Sequence, residues 1–281
     1  MQGGTEDTEG LTVWIRILSA LLGIPLLVFV LASGEKMLTA ALVIVSSIAL
    51  REFYGIFKRV DIFPFQAAGL ISGVVINISA GVYGQAALAH ASTVMIVCTL
   101  VCFAIMIVQN RARILDLGVT LVGIVYVSIL LSMLLFVYSL EQGHIIIWLV
   151  FVIAWLGDTF AYFVGINLGR HKLCPRISPK KSVEGAIGGL LGSVLGSVAF
   201  GLIVLELYRL DLSLLMLAFV GLIGGIMGQL GDLAASILKR YAGVKDFGNL
   251  MPGHGGVLDR FDSILFTVPV VYYIIGMLVS S

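Results

Sequence analysis

Charge is what this sequence has least of. Asp, Glu, Lys and Arg together make up 12% of its 281 residues, against about a quarter in soluble domains. No polar block is long enough to fold as a separate soluble unit. Hydrophobic residues reach 59% and the mean hydropathy is +1.10. That is more apolar surface than a soluble core can bury, so the bilayer must be its solvent. Cysteine is also scarce, and the 3 residues present exclude a disulfide framework. Cys98 and Cys102 lie one helical turn apart in an apolar run and Cys174 lies in a polar loop, so all are read as unpaired thiols rather than metal ligands. A net charge of +1 leaves no electrostatic footprint for nucleic acid, and no nucleic-acid partner is expected. Low-complexity segments and internal repeats are missing too.

What is present is a succession of apolar runs near the length of about 20 residues that a transmembrane helix needs. They fall at about 15–33, 37–55, 65–83, 88–109, 115–140, 145–168, 185–208, 214–238 and 260–279. The first, with Arg16 ahead of it, also has the look of a secretory signal but is read as a span. The expectation is an all-α, polytopic integral membrane protein with about nine transmembrane helices. It divides into 1–145, with about five helices, and 146–281, with about four and two polar loops at 169–184 and 239–259. Of the 17 Lys and Arg residues, only Lys36 and Arg209 fall on the far side of this arrangement. The positive-inside rule then puts the N-terminus and both long loops in the cytoplasm and the C-terminus outside. Glycine, at 33 residues, concentrates in the last third at small-xxx-small spacings. Close helix packing within the subunit, or across a homodimer, is its expected use.

Two acids interrupt apolar helices, Asp158 and Asp232. A carboxylate at membrane depth persists only beside a partner or a water-filled cavity. Asp232, Ser236 and Lys239 follow i, i+4, i+7 spacing and share one helix face. Arg240 and Lys245-Asp246 come next, then Pro252-Gly253-His254-Gly255-Gly256, then Asp259 and Asp262 at i, i+3 with Arg260 between them. The loop before carries Ser178, Lys180, Lys181, Ser182 and Glu184-Gly185, just where a helix starts. Phosphoryl transfer needs such a set. Carboxylates hold hard divalent cations, Lys and Arg neutralise phosphate oxygens, and glycines let backbone N–H groups approach an anion. Read more plainly, Lys172, Arg176 and their neighbours are topology determinants or lipid-headgroup contacts.

Residues 236–262 resemble the signature of the phosphatidate cytidylyltransferase family: S-x-x-K-R-x4-K-D, then P-G-H-G-G, then D-R-x-D. Ser236, Lys239, Arg240, Lys245, Asp246, His254, Gly255, Gly256, Asp259, Arg260 and Asp262 all stand at matching positions. Asp158-Thr159-Phe160-Ala161-Tyr162-Phe163 and Ser178 to Gly185 are similar to further family blocks, with Ser182 where threonine is common. The specific resemblance covers about 150–265, and residues 1–145 resemble the family only as apolar helices.

The resemblance implies an enzyme that joins CTP and phosphatidate into CDP-diacylglycerol and pyrophosphate, with Mg²⁺. Asp232, Asp259, Lys239, Asp246 and His254 would be catalytic, with Asp232 and Asp259, then Asp246 and Asp262, as metal ligands. Ser178, Lys180, Lys181, Glu184, Ser236, Arg240, Lys245, Gly255, Gly256 and Arg260 would bind substrate. The expected setting is the cell (inner) membrane, with the active site on its cytoplasmic side. Rival readings are a CTP-dependent enzyme on another lipid, such as a polyprenol kinase or an archaeal-lipid cytidylyltransferase, and an ion or solute transporter. Clustering of the acids with Lys, Arg and Gly at helix ends argues against the transporter. The D-G-x-x-A-R start of the CDP-alcohol phosphotransferases is absent.

Overall fold

A computed structural model describes residues 23–110, 113–208, 212–250 and 255–279. It is a bundle of apolar helices: α1 (Gly23–Ala32), α2 (Glu35–Phe57), α3 (Gln66–Tyr83), α4 (Ala87–Val108), α5 (Ile114–Gly123), α6 (Leu130–Tyr138), α7 (Gly143–Leu168), α8 (Val183–Tyr208), α9 (Leu214–Tyr241) and α10 (Leu258–Val279). A π-helical segment, Ile124–Ile129, joins α5 to α6. The breaks fall at residues able to leave helical geometry. Gly34 and Gly84 take positive φ, Asp61 ends the turn after α2 in the left-handed conformation, and Gln142 adopts the same conformation just ahead of α7.

Seven stretches among the described residues are long and apolar enough to cross a membrane. One of them, Gln66–Val108, is divided by the 3₁₀ turn Gly84–Ala86 into α3 and α4, which pack on each other. The first part of the expected run at 15–33 lies outside the described residues, and the rest of it forms α1. The loop expected at 169–184 contains structure: β1 (Lys172–Cys174) and β2 (Ser178–Ser182) pair antiparallel ahead of α8. Among the described residues, the otherwise helical bundle thus carries one small polar hairpin.

One apolar cluster draws on both halves of the chain, from Leu31, Phe53 and Tyr54 through Leu134 and Phe151 to Leu265 and Ile275. The tightest packing is the α7–α8–α9–α10 sequence. A Cβ on Gly192 would meet the Leu156 carbonyl oxygen at 2.7 Å, and one on Gly225 the Ser193 side chain at 2.7 Å. The glycines thus bring helices into contact within the subunit, one of the two uses expected of them. Large apolar side chains such as Leu100, Ile107, Phe163, Ile166, Leu191 and Leu215 remain on the outer faces, where acyl chains would cover them.

Candidate active site

The C-terminal end of α9, the N-terminal end of α10 and the β1–β2 hairpin meet at one end of the bundle. Lys239, on the last turn of α9, donates to Asp259 Oδ1 at 2.7 Å, and both residues are buried. Asp259 Oδ2 accepts from the backbone N–H groups of Phe247 at 2.8 Å and Gly256 at 2.9 Å. This one carboxylate therefore ties the loop after α9 to the first turn of α10. Gly255, at φ +84, passes so close that a Cβ there would lie 3.0 Å from Asp259 Oδ2. Positive φ and close approach both call for glycine.

The hairpin delivers a second cation. Lys181 Nζ lies 2.5 Å from Asp232 Oδ2, with each side chain about a quarter to a third exposed. Arg240 bridges hairpin and loop, its Nε donating to the Ile177 carbonyl at 3.3 Å and a terminal N–H to that of Val244 at 3.1 Å. Ser182 Oγ accepts from Gly185 N–H at 3.1 Å and so caps α8. Ser236 is buried, whereas Lys180, Lys245, Asp246 and Arg260 are exposed.

Across the α9–α10 contact, Gly231 packs so closely that a Cβ would lie 2.5 Å from the Asp262 carbonyl oxygen. The neighbouring carboxylates of Asp232, Asp262 and Asp158 lie within electrostatic reach of one another. Asp158 accepts from Ser263 Oγ at 3.2 Å. Three acids from three helices thus face a common region beside the Lys239–Asp259 pair.

Several sequence-selected residues are placed otherwise. Glu184 faces the hairpin mouth, accepting from Arg170 N–H at 3.0 Å and pairing with His171 Nδ1 at 2.6 Å. Ser178 sits half-buried in β2, paired in register with Cys174. His254 lies outside the described residues. Among the described residues, no three His, Cys, Asp or Glu side chains converge tightly enough to hold a metal unaided. Mg²⁺ does not ask for that, since it is usually held by one or two carboxylates with waters and substrate phosphates. The hard oxygens of Asp232 and Asp262 suit that chemistry, and Asp259 Oδ1 keeps a lone pair beyond its Lys239 bond.

Glu52 is a member of this site that the reading of the sequence did not select. Located on α2, it accepts from Val257 N–H at 3.0 Å and Leu258 N–H at 2.9 Å. Its carboxylate thereby caps α10 from the other half of the chain, where the helix dipole favours negative charge. Gly248 and Gly256 both pack onto it, and a Cβ on either would collide with the carboxylate. The available signal was a charged pair, Arg51-Glu52, inside an apolar run.

With this geometry in place, comparison with known proteins is informative. A model of the cytidylyltransferase family matches residues 14–278. A phosphatidate cytidylyltransferase of Staphylococcus aureus (strain COL) is 34% identical over 263 residues, covering 92% of this chain and 96% of the relative. One from Bacillus subtilis (strain 168) is 35% identical over 172 residues, which is 61% of this chain and 62% of that protein. A third, from Staphylococcus haemolyticus (strain JCSC1435), is 37% identical over 163 residues, covering 58% of this chain and 60% of the relative. The Bacillus and S. haemolyticus matches thus span less than two thirds of those relatives' lengths.

Proposed function

This chain belongs to the cytidylyltransferase family, and from that premise we propose that it is a phosphatidate cytidylyltransferase. It transfers the CMP moiety of CTP to phosphatidate, giving CDP-diacylglycerol and pyrophosphate. The observation that carries this reading is the convergence of the described residues of one signature stretch, 236–250 and 255–262, on a single charged end of a membrane bundle. There Lys239, Asp259, Asp232 and Lys181 are already paired.

A phosphatidate oxygen attacks the α-phosphorus of CTP. The α–β phosphoanhydride bond breaks, and its electron pair leaves on pyrophosphate. The attacking oxygen is anionic at neutral pH, so the reaction needs no strong general base. The larger barrier is bringing two polyanions together, and fixed cations lower it. Lys180, Lys245 and Arg260, all exposed, are suited to the phosphates of CTP. Lys181 and Lys239 are poised to exchange a carboxylate partner for phosphate. Arg240, through its contacts to Ile177 and Val244, keeps hairpin and loop at a fixed spacing. Asp232, with Asp262 and Asp259, would hold Mg²⁺, with Asp246 nearby. When bound, Mg²⁺ would supply charge neutralisation on the triphosphate.

In this proposal the chain crosses the membrane about nine times, with the N-terminus in the cytoplasm and the C-terminus outside. The site then faces the cytoplasm of the cell (inner) membrane, where CTP is found. The diacyl tails stay in the bilayer and enter sideways between helices.

The direct test is conversion of radiolabelled CTP and phosphatidate into lipid-soluble product by purified protein in Mg²⁺. Asp232→Asn, at a partly exposed carboxylate, should abolish it while the protein remains folded, and Asp259→Asn should abolish it with a loss of stability as well. Turnover independent of phosphatidate, or with a different lipid phosphate only, would move the assignment to another lipid substrate.

A further inference from the structure

Tyr126 lies in the π-helical segment between α5 and α6, in the half of the chain that the family signature does not reach. It is buried, with 8% of its surface exposed. Its ring packs against those of Phe53, at 5.8 Å, and Phe266, at 6.2 Å between centroids. Phenylalanine would make both contacts. The hydroxyl is buried and has no hydrogen-bond partner among the described residues. Neighbouring hydroxyls are satisfied: Tyr54 donates to the Thr120 carbonyl at 2.9 Å, and Ser128 and Ser46 share a bond of 3.1 Å. An orphaned buried O–H is costly to keep, and a π-helical turn often marks a functional site.

The groups around this hydroxyl show what it awaits. Phe266 lies one turn beyond Asp262 on the same face of α10, so the phenol abuts the face that carries the acid. The nearest acid by this geometry is Asp262, with Asp232 and Asp259 also within electrostatic reach. As carboxylates these accept hydrogen bonds and cannot donate. Asp259 is engaged through both oxygens, and Asp232 pairs with Lys181. Asp262 is turned toward the backbone N–H of Ser263, at 2.8 Å. Its carboxylate torsion is soft.

We propose that Tyr126 is a positioning residue of the reaction centre: its phenolic O–H donates to the Asp262 carboxylate when a divalent cation and nucleotide are bound. The hydroxyl then holds Asp262 in the orientation the cation requires, as outer hydrogen bonds do for metal-binding carboxylates. This rests on the cytidylyl-transfer reading, and it makes the N-terminal helices part of the site.

The experiment compares Tyr126→Phe with the parent protein in detergent. Mn²⁺ affinity is read by electron paramagnetic resonance with CTP present, alongside melting temperature and turnover. The expected result is Mn²⁺ binding weakened about tenfold and a lower kcat. KM for phosphatidate should be unchanged, and the cation-free melting temperature unchanged or higher. On an Asp262→Asn background, Tyr126→Phe should cause no further loss of Mn²⁺ affinity, because Tyr126 acts on the cation only through Asp262. Unaltered Mn²⁺ affinity in Tyr126→Phe, or fully additive losses in the double variant, would overturn the inference. So would a parent protein that binds no Mn²⁺. A parent that binds Mn²⁺ but does not consume phosphatidate would sink the substrate reading alone, and the Mn²⁺ arm would still decide the role of Tyr126.

Discussion

At the scale of residues, Lys239 and Asp259 show how a buried ion pair can serve chemistry at the expense of stability. Both are less than a tenth exposed and stand 2.7 Å apart. Desolvating two charges largely offsets their attraction, but removing one partner leaves the other uncompensated. Lys239→Met should therefore cost about 3–5 kcal/mol. In the double variant Lys239→Met/Asp259→Asn, the amide oxygen still accepts from Phe247 and Gly256, and no charge is stranded. That variant should recover more than half of the loss in thermal unfolding while remaining inactive. A double variant as unstable as the single would show that the pair is not the source of the penalty. The placement of Asp232, Ser236 and Lys239 on one helix was legible in the sequence, by spacing alone. Glu52 was not, since its partners lie some 200 residues away, a separation that no local pattern spans.

At the scale of elements, the α9–α10 crossing sets the distance between the acids. Gly231 stands at that crossing, and the atom a Cβ would meet is backbone, the Asp262 carbonyl oxygen at 2.5 Å. Backbone cannot rotate away, so Gly231→Ala must push the helices apart. Overpacking of this kind costs about 1–3 kcal/mol, and it would shift Asp232 relative to Asp262. Turnover should fall by about tenfold or more, as misplaced reacting groups usually cause. Gly118, inside α5, has nothing within 4 Å of a built Cβ. Gly118→Ala should leave turnover intact and raise stability by up to about 1 kcal/mol. Equal effects of the two changes would refute the packing argument. Elements were unevenly legible. The long apolar runs announced α7, α9 and α10 to within a few residues. The hairpin stayed hidden because Lys172–Cys174 and Ser178–Ser182 are short, charged and without apolar alternation. The π-helical turn stayed hidden because the segment is apolar apart from Tyr126 and Ser128, so one extra residue leaves no mark on the pattern.

At the scale of the whole molecule, charge and chemistry make separate demands on orientation that agree. The hairpin, the loop after α9 and the N-terminal end of α10 gather the cations, and in the proposed reaction CTP would reach them from the cytoplasm. Lys36, by contrast, sits exposed at the start of α2, the opposite end of that helix from Glu52 and the site. On a background with Cys98, Cys102 and Cys174 changed to serine, Lys36→Cys in intact cells should react with a membrane-impermeant maleimide. Arg176→Cys, exposed in the turn of the hairpin, should react only in inside-out vesicles. If both label from the same face, the crossing count between them is wrong by one. If both label with reversed sidedness, the bundle is intact but inverted, and a cytoplasmic nucleotide could not reach Lys239 and Asp259. The predicted pattern is what unites the two demands: an odd number of crossings between Lys36 and Arg176, with the hairpin on the nucleotide side.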